Sequence, residues 1–457
     1  MKSIDKIFEE FIKRAKLESP CAKEEDIRAV AKKMYDIISN NPSGTPNDYM
    51  TEAMEPCIEK LEALRANNVT PGYNILLNVG NTEIGMYGGY LDDTYQRKMS
   101  QNALFDVASM SKIFTQVVIS NLIESNCCGF TGFNTKIKDL CPDFKNIGDL
   151  TIKDAVSFSA HFQTPGYLSK CKSQEEAMET LFQVEASNIG KYEYTDFGMI
   201  IMKNVAEYAT GKNFETLIED FITTKAELTN TYLTIPEGKR ELVTGTPNWK
   251  EGEANDPNTI MLGGFSGSAG CFITAKDWIK FAKAYMNGIL IEDQILRGYA
   301  YTPGVFSTKP DKEGNSELMN YRGLLMGNTF IPWLTADSSF VNPLFPNQSF
   351  LVQGSTRPVG LAFKDGAAAL FFNPASISKK RAEELGILRE LNFTRGEKEI
   401  SRLSIDPRTK IMPLKNIKEM LQLIAELRLM ILFFNEYNKE YSKDSEEKKI
   451  THIKKIA

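Results

Sequence analysis

Ser109 and Lys112 stand three residues apart at the start of an apolar, helix-like stretch, with types and spacing suited to acyl transfer. A serine hydroxyl is a weak nucleophile and needs a base beside it. An amine can be that base where burial or nearby positive charge lowers its pKa. A three-residue separation puts both side chains on one helix face, one turn apart. The positive end of the helix would favour a developing oxyanion. Spacing alone is uninformative, because it recurs at Ser3/Lys6, Ser169/Lys172, Ser376/Lys379 and Ser445/Lys448. Context separates the pair at 109: Leu104-Phe105-Asp106-Val107-Ala108 runs straight into it, and Ile113, Val117, Val118 and Leu122 follow. Competing chemistries are poorly supplied. The two histidines, His161 and His452, lie far apart, which argues against a Ser-His-Asp triad and a His-rich metal site. Seven cysteines occupy irregular positions, and Cys127-Cys128 has no second pair at zinc-finger spacing. No metal and no cofactor is expected.

Several elements would have to hold the Ser-Lys pair. Apolar periodicity predicts a helix from Ser109 to about Glu124. Two strand-like runs, 73–78 and 83–87, flank Gly80-Asn81, a hairpin signal. A second hairpin, 360–363 with 367–372, turns at Lys364-Asp365-Gly366, where Asp-Gly tolerates positive φ. Helical patterns cover 174–183, 199–209, 214–222 and 275–286. The glycine-rich segment 263–270 fits no phosphate-binding fingerprint. Residues 1–40 read as surface helices, followed by the breaker-rich 40–46 and a helix over about 50–67. Near Pro413 another helix begins, with Leu414, Ile417, Leu421, Ile424 and Ile431 on one face and Arg428 interrupting it. Docking on the body is favoured over dimerisation, and the polar residues 439–457 are expected to fray. The elements predict an α/β (α+β) fold: one antiparallel sheet flanked by helices, with a mostly helical inserted lobe. The expected divisions are a helical extension over 1–46, a sheet domain from 47–130 and 251–376, a lobe over 131–250, and a C-terminal helical extension over 377–457.

Composition narrows the partners. Charged residues make up 25% and hydrophobic residues 42% of the 457, close to the globular average. Lys+Arg 54 against Asp+Glu 59 leaves a net charge of −5, which disfavours nucleic acid. No stretch approaches the roughly 20 apolar residues needed to span a bilayer. Charges fill the first ten residues, where a leader would need an apolar core, so a cytoplasmic protein with reduced thiols is expected.

The run Leu104–Lys112 resembles the active-site segment of the serine β-lactamase and penicillin-binding superfamily, in particular the class C β-lactamase-like hydrolases and esterases. The resemblance extends from Pro71-Gly72 to Asn373-Pro374. Leu150–Asp154 is similar to the segment before that family's helical lobe. Tyr192–Gly198 resembles its Tyr-x-Asn motif, with Asp196 in place of Asn. Asn255-Asp256-Pro257, Leu262–Gly264, Gly267–Gly270 and Thr274–Asp277 look like a stretch typical of that branch, with Ser268 where His is common.

The resemblance implies a β-lactamase/transpeptidase-like fold, with Ser109 acylated, Lys112 as its base and Tyr194 relaying a proton to or from the leaving group. Asp196 would pair with Lys112, raise its pKa and weaken it as a base. The third motif, Lys-Thr-Gly or His-x-Gly in the family, aligns with Ser355-Thr356-Arg357. Asp196, Ser355, Thr356 and Arg357 are therefore the expected substrate-binding residues, and Arg357 would both supply positive charge and crowd the groove. Next comes Pro358, at a position where the family donates a backbone N–H to the oxyanion. Losing one such donor costs roughly 10²–10³ in rate. Three functions remain open: a slow serine hydrolase of a small ester, amide or peptide, a binding or regulatory pseudo-enzyme, and an acyltransferase.

Overall fold

In a computed structural model, the described residues are 2–67, 69–92, 95–190, 195–245, 252–293, 325–326, 329–330, 336–337, 342–346, 349–354, 358–373, 388–395, 398–405, 414–441 and 450–456. Three N-terminal helices come first: α1 (Ile4–Glu18), α2 (Glu24–Asn40) and α3 (Pro46–Ala66). Thr45 starts α3 in a capping box with Asp48, and Pro46 sits at the helix start, where no N–H is needed. The hairpin β1 (Gly72–Val79) and β2 (Thr82–Gly89) follows, then β3 (Phe105–Asp106) and α4 (Ser111–Glu124).

Next comes a largely helical region: α5 (Ile137–Leu140), α6 (Ile152–Val156), α7 (Gln174–Phe182), α8 (Phe197–Thr210) and α9 (Phe214–Ile218). It also holds short strands β4 (His161–Gln163), β5 (Glu185–Ser187) and β6 (Thr231–Tyr232). The chain continues through α10 (Pro257–Met261), β7 (Phe272–Ile273) and α11 (Ala275–Met286). Its remaining strands are β8 (Leu325–Met326), β9 (Thr329–Phe330), β10 (Ala336–Asp337), β11 (Phe350–Gln353), β12 (Val359–Phe363), β13 (Gly366–Phe372), β14 (Leu388–Arg395) and β15 (Lys398–Ile405). Last are α12 (Leu414–Tyr441) and β16 (Ile450–Ile456).

Seven strands form the main sheet, in the order β10-β11-β12-β13-β1-β2-β16. The two chain segments meet at its centre, where β1 pairs antiparallel with β13, Tyr73 opposite Phe372 and Val79 opposite Gly366. Both central strands are buried throughout, so their sequences read as near-continuous apolar runs. Alternate side chains feed two cores. Tyr73, Ile75, Leu77 and Val79 join α1, α2, α3 and α12 on one face. Leu76, Ala369 and Phe371 join α4, α8 and α11 on the other.

The C-terminal residues depart from expectation. Residues 450–456 do not fray but run parallel to β2, with Ile450 opposite Thr82 and Ile456 opposite Gly88. The sheet is therefore mixed rather than purely antiparallel. Its sequence conceals a period of two: Ile450, His452, Lys454 and Ile456 are half-buried while Thr451, Ile453 and Lys455 are exposed. Thr51 Oγ1 meets His452 Nε2 at 3.2 Å, tying the strand to α3. The hairpin of β14 and β15 lies in the charged region after Ser376, where no strands were anticipated. Helix α12 docks on the body, with Ile417, Leu421, Ile424 and Ile431 buried. Arg428 is buried as well, its guanidinium bonded to the Asp365 carboxylate at the β12–β13 turn. Among the described residues, no helix is long and apolar enough to cross a membrane.

Candidate active site

The turn carrying Ser109 hangs from a short strand. Phe105 and Asp106 of β3 pair with Ile273 and Phe272 of β7, and Val107 N–H donates to Cys271 O at 3.0 Å. The chain then makes a single 3₁₀ turn, Ala108–Met110, and enters α4. Ala108 sits at φ +44°, a left-handed conformation that disfavours a residue with a Cβ. Asp106 holds this turn. Its Oδ1 accepts from Ala108 N–H at 2.8 Å, and its Oδ2 accepts from Asn255 N–H at 2.7 Å. Burial pushes the Asp106 carboxyl up to about 6, outweighing the two N–H bonds that favour the carboxylate, and Asp256 adds to the rise.

Lys112 lies in the first turn of α4 with its side chain fully buried. Its Nζ donates to Ser109 Oγ at 2.9 Å and to Ser268 O at 3.2 Å, and lies 2.6 Å from Asp196 Oδ1. Asp196 is the N-cap residue of α8, yet it makes no capping bond with its own helix. It faces Lys112 instead, and its side chain is 37% exposed. Ser109 is partly exposed, whereas the Lys112 side chain is fully buried.

The glycine-rich segment, which fits no phosphate cradle, forms the inner wall. Gly267 has φ +92°, and a Cβ there would fall 2.4 Å from Met199 O, so only glycine lets the segment lie on the first turn of α8. Thr115 Oγ1 of α4 donates to Gly267 O at 2.7 Å. Buried hydroxyls of Thr259, Ser266 and Ser268 form a chain with contacts of 2.7 and 3.0 Å, fixing the loop whose carbonyl receives Lys112.

Gly354 and Pro358 flank the third-motif region at the end of the β11–β12 hairpin, and Gly354 N–H donates to Pro358 O at 3.0 Å. A Cβ on Gly354 would lie 2.3 Å from Val107 O, which places this hairpin end beside the turn into Ser109. Pro358 is buried and offers no N–H. Tyr194, Ser355, Thr356 and Arg357 lie outside the described residues. The geometry therefore brings together Ser109, Lys112 and Asp196 of the expected set. Sequence reasoning assigned no role to the Asp106 clamp. Its only visible signal was a lone acid within the apolar run Leu104–Ala108. Among the described residues, no group of three or more His, Cys, Asp or Glu side chains could hold a metal ion.

The arrangement supplies a partly exposed serine and a buried amine in hydrogen-bond contact, with a carboxylate beside the amine. A family model described as Beta-lactamase matches residues 57–317, more than half of the chain. No match to a curated protein sequence was found. Among solved structures, a class C beta-lactamase superposes with a TM-score of 0.55 at 15% identity, over 75% of this chain and 96% of that one. D-amino acid amidase from Ochrobactrum anthropi SV3 gives a TM-score of 0.55 at 14% identity, over 86% and 99%. FmtA from Staphylococcus aureus gives 0.51 at 14% identity, over 77% and 93%. The fold is that of the β-lactamases and transpeptidases.

Proposed function

The chain belongs to the beta-lactamase family, and from that premise we propose that it is a serine hydrolase acting through an acyl-enzyme on a small ester, amide or peptide. The observation that carries this reading is the 2.9 Å contact between the buried Lys112 Nζ and the partly exposed Ser109 Oγ. Ser109 Oγ attacks the substrate carbonyl while its proton passes to Lys112 as a free amine. Tyr194 protonates the leaving group, and water then cleaves the acyl-enzyme. By the family resemblance, Ser355, Thr356 and Arg357 are assigned to substrate binding, and the positive charge of Arg357 favours an anionic substrate.

Two features make turnover slow. Asp196, 2.6 Å from Lys112, favours the ammonium over the free amine that catalysis needs. Pro358 contributes no N–H to the oxyanion, and both acylation and deacylation pass through one. The same ion pair favours a second reading, a binding or regulatory protein that keeps the pocket without turnover.

Intact-mass measurement after incubation with a fluorophosphonate, and separately with a β-lactam, tests the proposal. The hydrolase reading expects a single fluorophosphonate adduct on the wild type and none on Ser109→Ala. A folded wild type that stays unlabelled from neutral to alkaline pH would leave the binding reading standing.

A further inference from the structure

At the far end of the helix that begins beside Ser109, the chain places two thiols together. Helix α4 closes in a Schellman arrangement, with Asn126 N–H donating to Ile123 O and Cys127 N–H to Leu122 O, both at 3.0 Å. Asn126 at φ +48° makes that reversal, as the motif requires. Cys128 follows at φ +53°, an unfavourable setting for a residue with a side chain, and Gly129 at +89° continues the turn. The result is a Cys127 Sγ to Cys128 Sγ separation of 3.0 Å on the surface. Cys128 is exposed, and Cys127 is half-buried against the core that contains Leu122. Hydrogen bonding with Cys128 pushes the Cys127 thiol up, while the nearby Lys212 ammonium acts in the opposite direction.

We propose that Cys127 and Cys128 form a vicinal dithiol site for thiophilic electrophiles, and that it closes to a disulfide by exchange with a low-molecular-weight disulfide. The exposed Cys128 thiolate attacks one sulfur of the reagent, and one thiolate leaves. Cys127 then loses its proton and attacks the Cys128 sulfur, expelling the second thiolate. In sum, two protein thiols and one disulfide become one protein disulfide and two small thiols. The protein is oxidised by two electrons and the reagent is reduced by two. Adjacent Cα atoms stand about 3.8 Å apart, short of the usual disulfide window of about 4.4–6.8 Å, so the ring is strained and readily reduced again. Closure acts on the residues that cap α4, because Cys127 N–H is the bond that ends it.

The site is independent of the hydrolase reading, and its test does not use activity. The full-length protein is incubated with oxidised glutathione and then analysed by intact mass and peptide mapping. The wild type should lose two hydrogens at 127–128, carry no retained glutathione there, and recover both thiols with dithiothreitol. Cys127→Ser should keep a glutathione on Cys128, since nothing resolves it. In a second arm, phenylarsine oxide should bridge the two sulfurs with loss of water, and the adduct should resist a monothiol wash in the wild type. Either single variant, Cys127→Ser or Cys128→Ser, should release the arsenical in that wash. A stable mixed disulfide on the wild type, thiols that react only after denaturation, or equal arsenical retention by wild type and single variants would overturn the proposal.

Discussion

At the scale of single residues, the local three-residue step made Ser109 and Lys112 a candidate pair, and the apolar runs on either side set them apart from the four other pairs at that spacing. What surrounds them was less legible. The Ser268 carbonyl on Lys112 and the Asn255 N–H on Asp106 are backbone groups from a distant segment, and backbone groups leave no trace in residue type. Asp196 was readable as an acid, and its geometry gives it a measurable consequence. Asp196→Asn removes the charge that holds Lys112 as an ammonium. Fluorophosphonate labelling of Ser109 at pH 7 should rise severalfold, because an opposite charge this close favours the ammonium over the free amine. The acid limb of the labelling profile should move to lower pH. An unchanged profile would remove Asp196 from control of the amine.

Asp106 makes a separate prediction. Its carboxyl titrates at about 6 against an ordinary value of 3.8, with burial as the cause and Asp256 and Cys271 as neighbouring titratable groups. Protonation weakens its hold on two N–H groups at once, so labelling should fall below pH 6 with an inflection there. Asp106→Asn should lose that inflection and label more slowly at neutral pH. The folded-state value is raised, so the protonated group's contribution to stability is full below about pH 4 and is lost as pH rises through 6. Over that window the wild type should therefore lose stability relative to Asp106→Asn, as read by thermal unfolding. Coincident pH profiles of the two proteins would refute the clamp.

Among the elements, the two hairpins were readable because Gly80-Asn81 and Asp365-Gly366 carry turn chemistry next to apolar runs. The strand β16 was not, since its alternation is written in Ile, His and Lys, and only its pairing with β2 gives those residues a half-buried face. Packing between elements sets the position of the Ser109 turn. A Cβ on Gly360 of β12 would lie 2.2 Å from Trp278 Cζ2 of α11 and 2.9 Å from Met110 Cε, the residue after the nucleophile. The Trp278 indole cannot yield easily, because its Nε1–H donates to Ala368 O at 2.9 Å. Gly360→Ala should cost about 1–3 kcal/mol by overpacking, visible as a lower denaturation midpoint, and should slow Ser109 labelling in the folded protein. Wild-type stability in that variant would mean that β12 and α11 are less closely packed than described.

For the whole molecule, the sheet separates two cores, and the nucleophile belongs to only one of them. Helices α1, α2, α3 and α12 cover the opposite face, brought together from the two ends of the chain. Arg428 lies in that outer core, buried to 1% exposure and bonded to the Asp365 carboxylate, with its guanidinium 5.3 Å from the Phe363 ring centre. In the sequence it appeared as a break in the apolar face of α12, because its partner sits in a turn 63 residues earlier. The pair locks α12 to the β12–β13 turn. Asp365→Ala should leave the guanidinium buried without its carboxylate and cost about 3–5 kcal/mol. The double variant Asp365→Ala with Arg428→Met should recover most of that loss, since an apolar chain of similar length needs no partner. Ser109 labelling of the folded fraction should stay unchanged in both, because the sheet stands between this pair and the reactive turn. Chemical denaturation measures the first two expectations and mass-resolved labelling the third. A double variant no more stable than the single one would show that Arg428 contributes through its contacts to Phe363 and Leu344 rather than through its charge.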